Sequence, residues 1–325
     1  NPMAVFTPLS NEQVAQYLLE YNLGELVSLQ GITAGIENTN FFLTTTKGEY
    51  VITIFEVLTF EQLPFYIKLM HHLASKGIKV PMPQQRKDGS LIGQLMGKPC
   101  CIVTRLHGGY EATPSKAHCI LAADIQAHIH LATKDYALQQ PNLRGLSWWQ
   151  ENYPKIQPFL STELNALYQQ ALTEQISVQN SDTWKNLPQG ACHCDLFRDN
   201  VLFAGTYQSP SMGGVIDFYF AGVDKWIFDV AVAVNDWCIQ RDTGEFIRPH
   251  VKAWLENYHQ IRPFTEEERE IWPQALRAAA LRFWTSRLYD FYLPRAAETL
   301  KPHDPTHFER VLKQRFNGYI PELPL

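Results

Sequence analysis

A chain of 325 residues that is 45% hydrophobic carries enough apolar surface for one large or two moderate lobes. Its 28 Lys and Arg against 33 Asp and Glu leave a net charge of −5 with no basic block, which argues against a nucleic-acid partner. No apolar run approaches the length that spans a bilayer and no charged-then-apolar leader opens the sequence, so a cytoplasmic protein with no membrane partner is expected. Nothing in the sequence specifies an oligomeric state. Asn1-Pro2, ahead of Met3, is read as foreign to the natural chain and left out of the fold argument.

Residues 10–21, from Ser10 through Val14, Leu18, Leu19 and Tyr21, have the spacing of a capped amphipathic helix. Gly31-Ile-Thr-Ala-Gly-Ile-Glu-Asn-Thr-Asn-Phe-Phe-Leu then places two strand-like runs around a small polar turn. Low side-chain bulk and exposed N–H groups suit a loop laid over phosphates, with Gly35, Asn38, Thr39 and Asn40 as candidates, although an ordinary hairpin reads the same way. Tyr50–Glu56 is a further strand, and residues 60–76 carry apolar positions at helical spacing up to Lys76-Gly77. Pro81 and Pro83 mark an extended exit, and Leu91-Ile92 and Cys100–Val103 read as paired strands.

Arg105-Leu-His-Gly-Gly leaves that sheet and is the expected hinge between lobes 3–104 and 105–325. Helices follow at Lys116–Ala132, with Ile120, Leu121, Ile125 and Leu131 as its buried face, at 148–153 and at 164–176; 177–189 reads as a polar lead. His128 and His130, two apart on a helix, do not share a face and make no metal pair. The six cysteines include no C-x-x-C, and an extended Cys192-His193-Cys194 would point its imidazole away from both thiols, so buried reduced thiols are expected rather than zinc.

Residues 191–220 carry the chemistry. His193, Asp195 and Asn200 have the spacing H-x-D-x-x-x-x-N, and Asp217 closes an apolar run ahead of Phe218. Phosphoryl transfer to a hydroxyl needs a carboxylate beside the incoming hydroxyl and hard oxygen ligands that hold Mg²⁺ on the phosphates. Asp195 is the candidate for the first task and Asn200 with Asp217 for the second, while His193 braces the loop. Val201–Phe203 and Val215-Ile216 read as antiparallel partners joined through a turn at Gly213-Gly214, which would put Asn200 and Asp217 at neighbouring strand ends. The plainer alternative, that Asp195, Asp199 and Asn200 are ordinary turn residues, does not account for the strand, glycines, strand and Asp-Phe that follow at the expected distance.

With Asp195-Leu-Phe-Arg-Asp-Asn-Val-Leu-Phe, Val215-Ile-Asp-Phe-Tyr-Phe-Ala and Asp229-Val-Ala-Val-Ala-Val-Asn-Asp-Trp-Cys, the chain closely resembles homoserine kinases of the aminoglycoside phosphotransferase-like superfamily. The unrelated homoserine kinases with a glycine/serine-rich phosphate motif are not matched. The resemblance implies an α+β, two-lobed protein kinase-like fold, with an antiparallel-sheet N-lobe and a mostly helical C-lobe. It further implies ATP and Mg²⁺ as cofactors and L-homoserine as the small-molecule substrate, phosphorylated on its hydroxyl on the route to threonine. Asp195 would be the catalytic Asp, Asn200 and Asp217 metal ligands, and Asp229 a support of the catalytic loop. Val103 and Arg105 fall where such kinases hold adenine.

One departure is plain: kinases usually carry a Lys on the Tyr50–Glu56 strand, and the matching position here is Thr53, leaving Lys47, Lys68 and Arg105 as substitute cations. Glu61, at the head of the next helix, is as well explained by the helix dipole as by a site role. The long helix expected at about Glu266–Tyr292 offers Arg282 or Arg287 for the amino acid's carboxylate, and Asp236 is the candidate for its ammonium. Surface ion pairs such as Arg287 with Asp290 are the competing account. A kinase for choline, methylthioribose or an aminoglycoside remains open, as does a catalytically silent nucleotide-binding protein. A protein kinase is disfavoured because Asp-Phe-Tyr stands in place of Asp-Phe-Gly.

Overall fold

The computed structural model describes residues 7–32, 37–293 and 302–325. The described residues through His107 form one compact unit and those from Gly108 onward a second.

The first unit is built on an antiparallel sheet of five strands in the order β1-β2-β3-β5-β4, namely β1 (Leu26–Ile32), β2 (Asn38–Thr45), β3 (Gly48–Phe55), β4 (Gly93–Leu95) and β5 (Lys98–Thr104). Its first helix, α1 (Asn11–Leu18), starts on a capping box in which the Ser10 hydroxyl accepts from Gln13 N while the Gln13 side chain accepts from Ser10 N. Val14, Tyr17 and Leu18 of α1 share a core with Phe41, Leu43, Tyr50, Ile52, Ile54 and Ile102. The second helix is α2 (Leu63–Ser75).

The strand expected at Leu91-Ile92 begins instead at Gly93. Met96 and Gly97, both left-handed at φ 56° and 76°, turn the chain so that Leu95 faces Lys98 and Gly93 faces Cys100. Beyond Cys100 that edge of β5 is taken by the proline-led segment, where Gln84 N donates to Ile102 O and Pro83 pairs with Val103. Leu91 and Ile92 therefore have no strand edge to join.

The second unit is largely helical. Its elements in order are α3 (Lys116–Ala132), α4 (Leu146–Ile156), α5 (Thr162–Gln179), α6 (Asp182–Lys185), β6 (Gln189–Cys192), β7 (Val201–Gly205), β8 (Pro210–Val215), β9 (Gly222–Lys225), α7 (Trp226–Trp237), α8 (Arg248–Ile261), α9 (Glu266–Tyr292) and α10 (His307–Asn317). The stretch expected as a polar lead, 177–189, contains the end of α5 and the whole of α6, which Ser181 caps through Trp184 N. Two strand pairs, β6 with β9 and β7 with β8, project the loops that carry the candidate residues Asp195, Asn200 and Asp217.

Helix α3 buries Ile125, as its apolar spacing suggests, but not the other three large aliphatics expected with it. Cys119, Ala122, Ala123, Gln126, Ile129 and His130 point inward, whereas Ile120 is 37% exposed and Leu121 and Leu131 are only partly covered. Small side chains let α8 approach, and the two polar residues are satisfied: Gln126 donates to Asp229 O and accepts from Trp254 Nε1, and His130 is bonded at both ring nitrogens. Among the described residues no helix is long and apolar enough to cross a membrane.

Candidate active site

The loop that bears Asp195 is held by bonds between its backbone and polar side chains. It leaves β6 at Cys192, opposite Gly222, and Cys194 turns left-handed at φ 66°. That turn aims the Cys194 N–H at Asp229 Oδ1, 2.9 Å away, in the first turn of α7. His193 bonds backbone on both sides of its ring: Nδ1 accepts from Asp195 N at 3.1 Å, so Nε2 carries the proton and donates to Ile216 O at 2.9 Å. With both nitrogens engaged, it ties Asp195 to Ile216, which follows β8 and precedes Asp217.

Asn200 ends a 3₁₀ turn over Arg198–Asn200. Its Nδ2 donates to Asp195 O at 2.9 Å and approaches Asp195 Oδ2 at 3.4 Å, which turns the amide oxygen the other way. Val201 faces Val215 across β7 and β8, and Ile216 N donates to Asn200 O, so Asn200 and Asp217 sit at adjoining strand ends. Asp217 is exposed and left-handed at φ 62°, a conformation that Asp tolerates better than most residues.

The turn between these strands is not at Gly213-Gly214. The chain reverses over Thr206–Ser209, and both glycines lie within β8, where pairing slips from Leu202↔Gly214 to Phe203↔Met212. Gly213 is the extra residue of this bulge, and Gly214 stands at φ 143°, a conformation that L side chains rarely adopt.

Burial, with the Asp217 carboxylate adding to it, pushes the Asp195 carboxyl well above the usual range, and Arg282 pulls the other way. Asp229 shows the opposite balance. Burial would raise it, but His130 and the Cys194 N–H hold it below its ordinary value. This carboxylate is the end of a buried chain of bonds: Glu268 grips Arg262 with both oxygens, Arg262 Nε donates to the Tyr258 hydroxyl at 2.6 Å, Tyr258 meets His130 Nδ1, and His130 Nε2 meets Asp229 Oδ2 at 2.7 Å.

His130 therefore stays neutral in the fold, lowered by burial, and His307 is lowered to about 4 by burial and by Arg241 and Arg287. Because the unfolded chain binds these protons near 6.5 and the folded chain does not, stability is fully present above that value and declines as pH falls toward 4. Urea midpoints at pH 7.5 and 5 are expected to show the loss, and His307→Gln to make it shallower; an unchanged slope would remove His307 from this role.

In the first unit, strand alternation sorts the candidate nucleotide residues onto two faces. Asn40 lies opposite Thr53 and accepts from its hydroxyl at 2.7 Å; Val51 pairs with Phe42 and with Val103, placing Val103 on that same face, as it does Asn38 opposite Phe55. Arg105 lies over the Phe42 ring, its Cζ 3.7 Å from the centroid. Thr39 falls on the other face with Phe41 and Leu43, where its hydroxyl bonds Glu56 at 2.6 Å and Lys98 bonds the same carboxylate at 2.6 Å. Gly35 lies outside the described residues. Of the substitute cations, Lys47 donates to Asn22 O and Lys68 is exposed on α2.

In the second unit, Asp236 is buried and already paired: its Oδ2 accepts from Arg198 N at 2.8 Å and Nε at 3.3 Å, while Oδ1 lies 4.0 Å from Arg241. Arg282 is 3% exposed and donates to Ser286 Oγ at 2.7 Å. Arg287 sits over Phe308 at 5.0 Å, with Asp236 as the acid that acts on it most strongly. Sequence reasoning missed Arg198, which also donates to Ala112 O and so pins the loop from inside, and His130. An arginine between two motif residues was the visible hint for the first; the second had none, because its partners lie about a hundred residues away. Both His193 nitrogens are bonded to backbone, so this imidazole is not free to join Cys192 and Cys194 around zinc.

The family model described as the phosphotransferase enzyme family matches residues 28–264. Homoserine kinases of Burkholderia vietnamiensis and Burkholderia ambifaria are 57% and 56% identical to this chain over alignments of 326 residues, covering 99% of it and 98% of each relative. Among solved structures, the amicoumacin kinase hAmiN, in complex with AMP-PNP, Ca²⁺ and Ami, superposes with a TM-score of 0.68 at 16% identity, over 94% of this chain and 93% of that one. The spectinomycin phosphotransferase APH(9)-Ia superposes at 0.62 with 13% identity, over 95% of each chain, and at these identities both likenesses speak for the fold. A match across most of the sequence, with near-complete coverage of its relatives, means that the chain belongs to the phosphotransferase enzyme family, among the homoserine kinases.

Proposed function

We propose that the chain transfers the γ-phosphoryl group of ATP to the side-chain hydroxyl of L-homoserine, yielding O-phospho-L-homoserine on the route to threonine. The observation that carries this reading is the meeting of Asp195, Asn200 and Asp217 at the end of one strand pair, in a chain 57% identical to a homoserine kinase over its full length.

Asp195 orients the acceptor hydroxyl and takes its proton as the new O–P bond forms and the bond to ADP breaks. The amide oxygen of Asn200 and the carboxylate of Asp217 are a hard-oxygen pair that fits Mg²⁺, which prefers such ligands and retains several waters. Bound there, Mg²⁺ supplies charge neutralisation to the phosphates. His193 positions Asp195 through its backbone N–H, and Asp229 positions the turn before it.

The face bearing Asn38, Asn40, Thr53 and Val103, with Arg105 beyond it, is the nucleotide platform; Thr39, on the other face, acts only through the strand. Arg282 or Arg287 takes the amino acid's carboxylate, and Asp236 offers Oδ1 to its ammonium.

Turnover on homoserine but not choline tests the acceptor. Asp217→Asn tests the metal site: removing one carboxylate is expected to raise the Mg²⁺ concentration for half-maximal rate by about 10- to 100-fold, by analogy with the loss of metal-supporting groups. An unchanged Mg²⁺ titration would take Asp217 out of the site.

A further inference from the structure

Two guanidinium groups in the second unit share one aromatic wall. Arg144, just before α4, places its Cζ 4.9 Å from the Trp148 ring centre and 5.8 Å from that of Phe220. Arg282, from α9, lies 5.8 Å from each of the same two rings. Gathering like charges on one apolar wall is unfavourable unless an anion joins them.

Among the described residues Asp195 acts on Arg282, but no acid lies close enough to either guanidinium to pair with it. Among the described residues, the guanidinium of Arg282 donates one hydrogen bond, to the neutral hydroxyl of Ser286, and neither Arg144 nor Arg282 forms an ion pair. A guanidinium has five N–H donors, so an Arg that is 3% exposed with a single protein acceptor is held ready for a ligand. Burial lowers its proton affinity to about 10, with Asp195 opposing and Arg144 adding to the shift. Arg287 is different, because Asp236 and Asp290 act on its charge in addition to Asp195.

We propose that Arg144 and Arg282, walled by Trp148 and Phe220, form the subsite for the α-carboxylate of the acceptor, with Arg144 determining specificity. The proposal deepens the homoserine reading and rests on it. A planar carboxylate takes charge-assisted hydrogen bonds from both guanidiniums, whereas an amino alcohol without that group brings a net positive charge toward two cations. The pair thus selects an amino acid over an otherwise identical amine.

The test compares L-homoserine with 3-aminopropan-1-ol, the same molecule without its carboxylate, in steady-state kinetics of the full chain. Arg144 is only partly buried, so Arg144→Gln should fold as the wild type does. The substitution is expected to raise KM for homoserine about 10- to 100-fold, the scale of a lost hydrogen bond to a charged group, with kcat and the KM for ATP little changed. Arg144→Lys should recover part of the loss, and turnover of the amino alcohol should not fall with either variant. An unchanged homoserine KM, or an equal loss on both acceptors, overturns the subsite while leaving the homoserine activity standing. A wild-type protein that does not phosphorylate homoserine overturns the functional reading and the subsite together.

Discussion

Asp195→Asn is expected to lower kcat by roughly a hundred- to ten-thousand-fold, the range of a positioned general base. The amide keeps the size of the side chain and leaves the bonds through the Asp195 backbone intact, those from Asn200 Nδ2 to its O and from its N to His193 Nδ1. What it removes is the ability to accept a proton. ATP should bind as before, and the thermal midpoint should hold or rise, because burial and the Asp217 carboxylate disfavour the charged Asp195. Rapid-quench turnover beside a thermal melt with and without nucleotide reads both. Turnover equal to wild type would take Asp195 out of its role, and a collapsed melt would recast it as structural.

Asp229→Ala should be the most damaging change to stability, at about 2–6 kcal/mol, or about 1–3 kcal/mol for each of the two buried donors it leaves unpaired. It strands the Cys194 N–H and leaves His130 with Tyr258 but without its acid. Asp229→Asn retains an acceptor for Cys194 and should cost less. Because Cys194 is left-handed next to Asp195, the loop should lose its set even where the chain still folds. Denaturant unfolding and kcat should then fall together for the Ala variant. If activity fell while stability did not, Asp229 would belong to the chemistry rather than to its support.

These two predictions draw on different kinds of information. The first was legible in the chain, because His193, Asp195, Asn200 and Asp217 are linked by local backbone geometry that short-range spacing reports. The second rests on Glu268, Arg262, Tyr258 and His130, whose bonds join α3, α8 and α9 and leave no local pattern. Between these extremes fall partial readings. The glycines at 213 and 214 were visible as backbone punctuation, but a turn and a bulge both demand glycine, and only the pairing of β7 with β8 tells them apart. Thr39 illustrates the same limit in the first unit. Its type and position suited a phosphate loop, yet a strand alternates its sides every residue, and the register with β3 turned it toward Glu56.

By itself the sequence carried the α+β class, through its resemblance to a known family, and a hairpin with the residue types that phosphoryl transfer needs, through bonds spanning a few residues. Tertiary structure alone decided which residues flank Ile125 on the buried face of α3, which partners hold Asp229 in place, and that Arg144 and Arg282 stand at one aromatic wall. The physical reason is range. Burial and charge pairing are settled by whatever the fold brings alongside a side chain, and for Arg144 and Arg282 that neighbourhood is assembled from segments far apart in the chain.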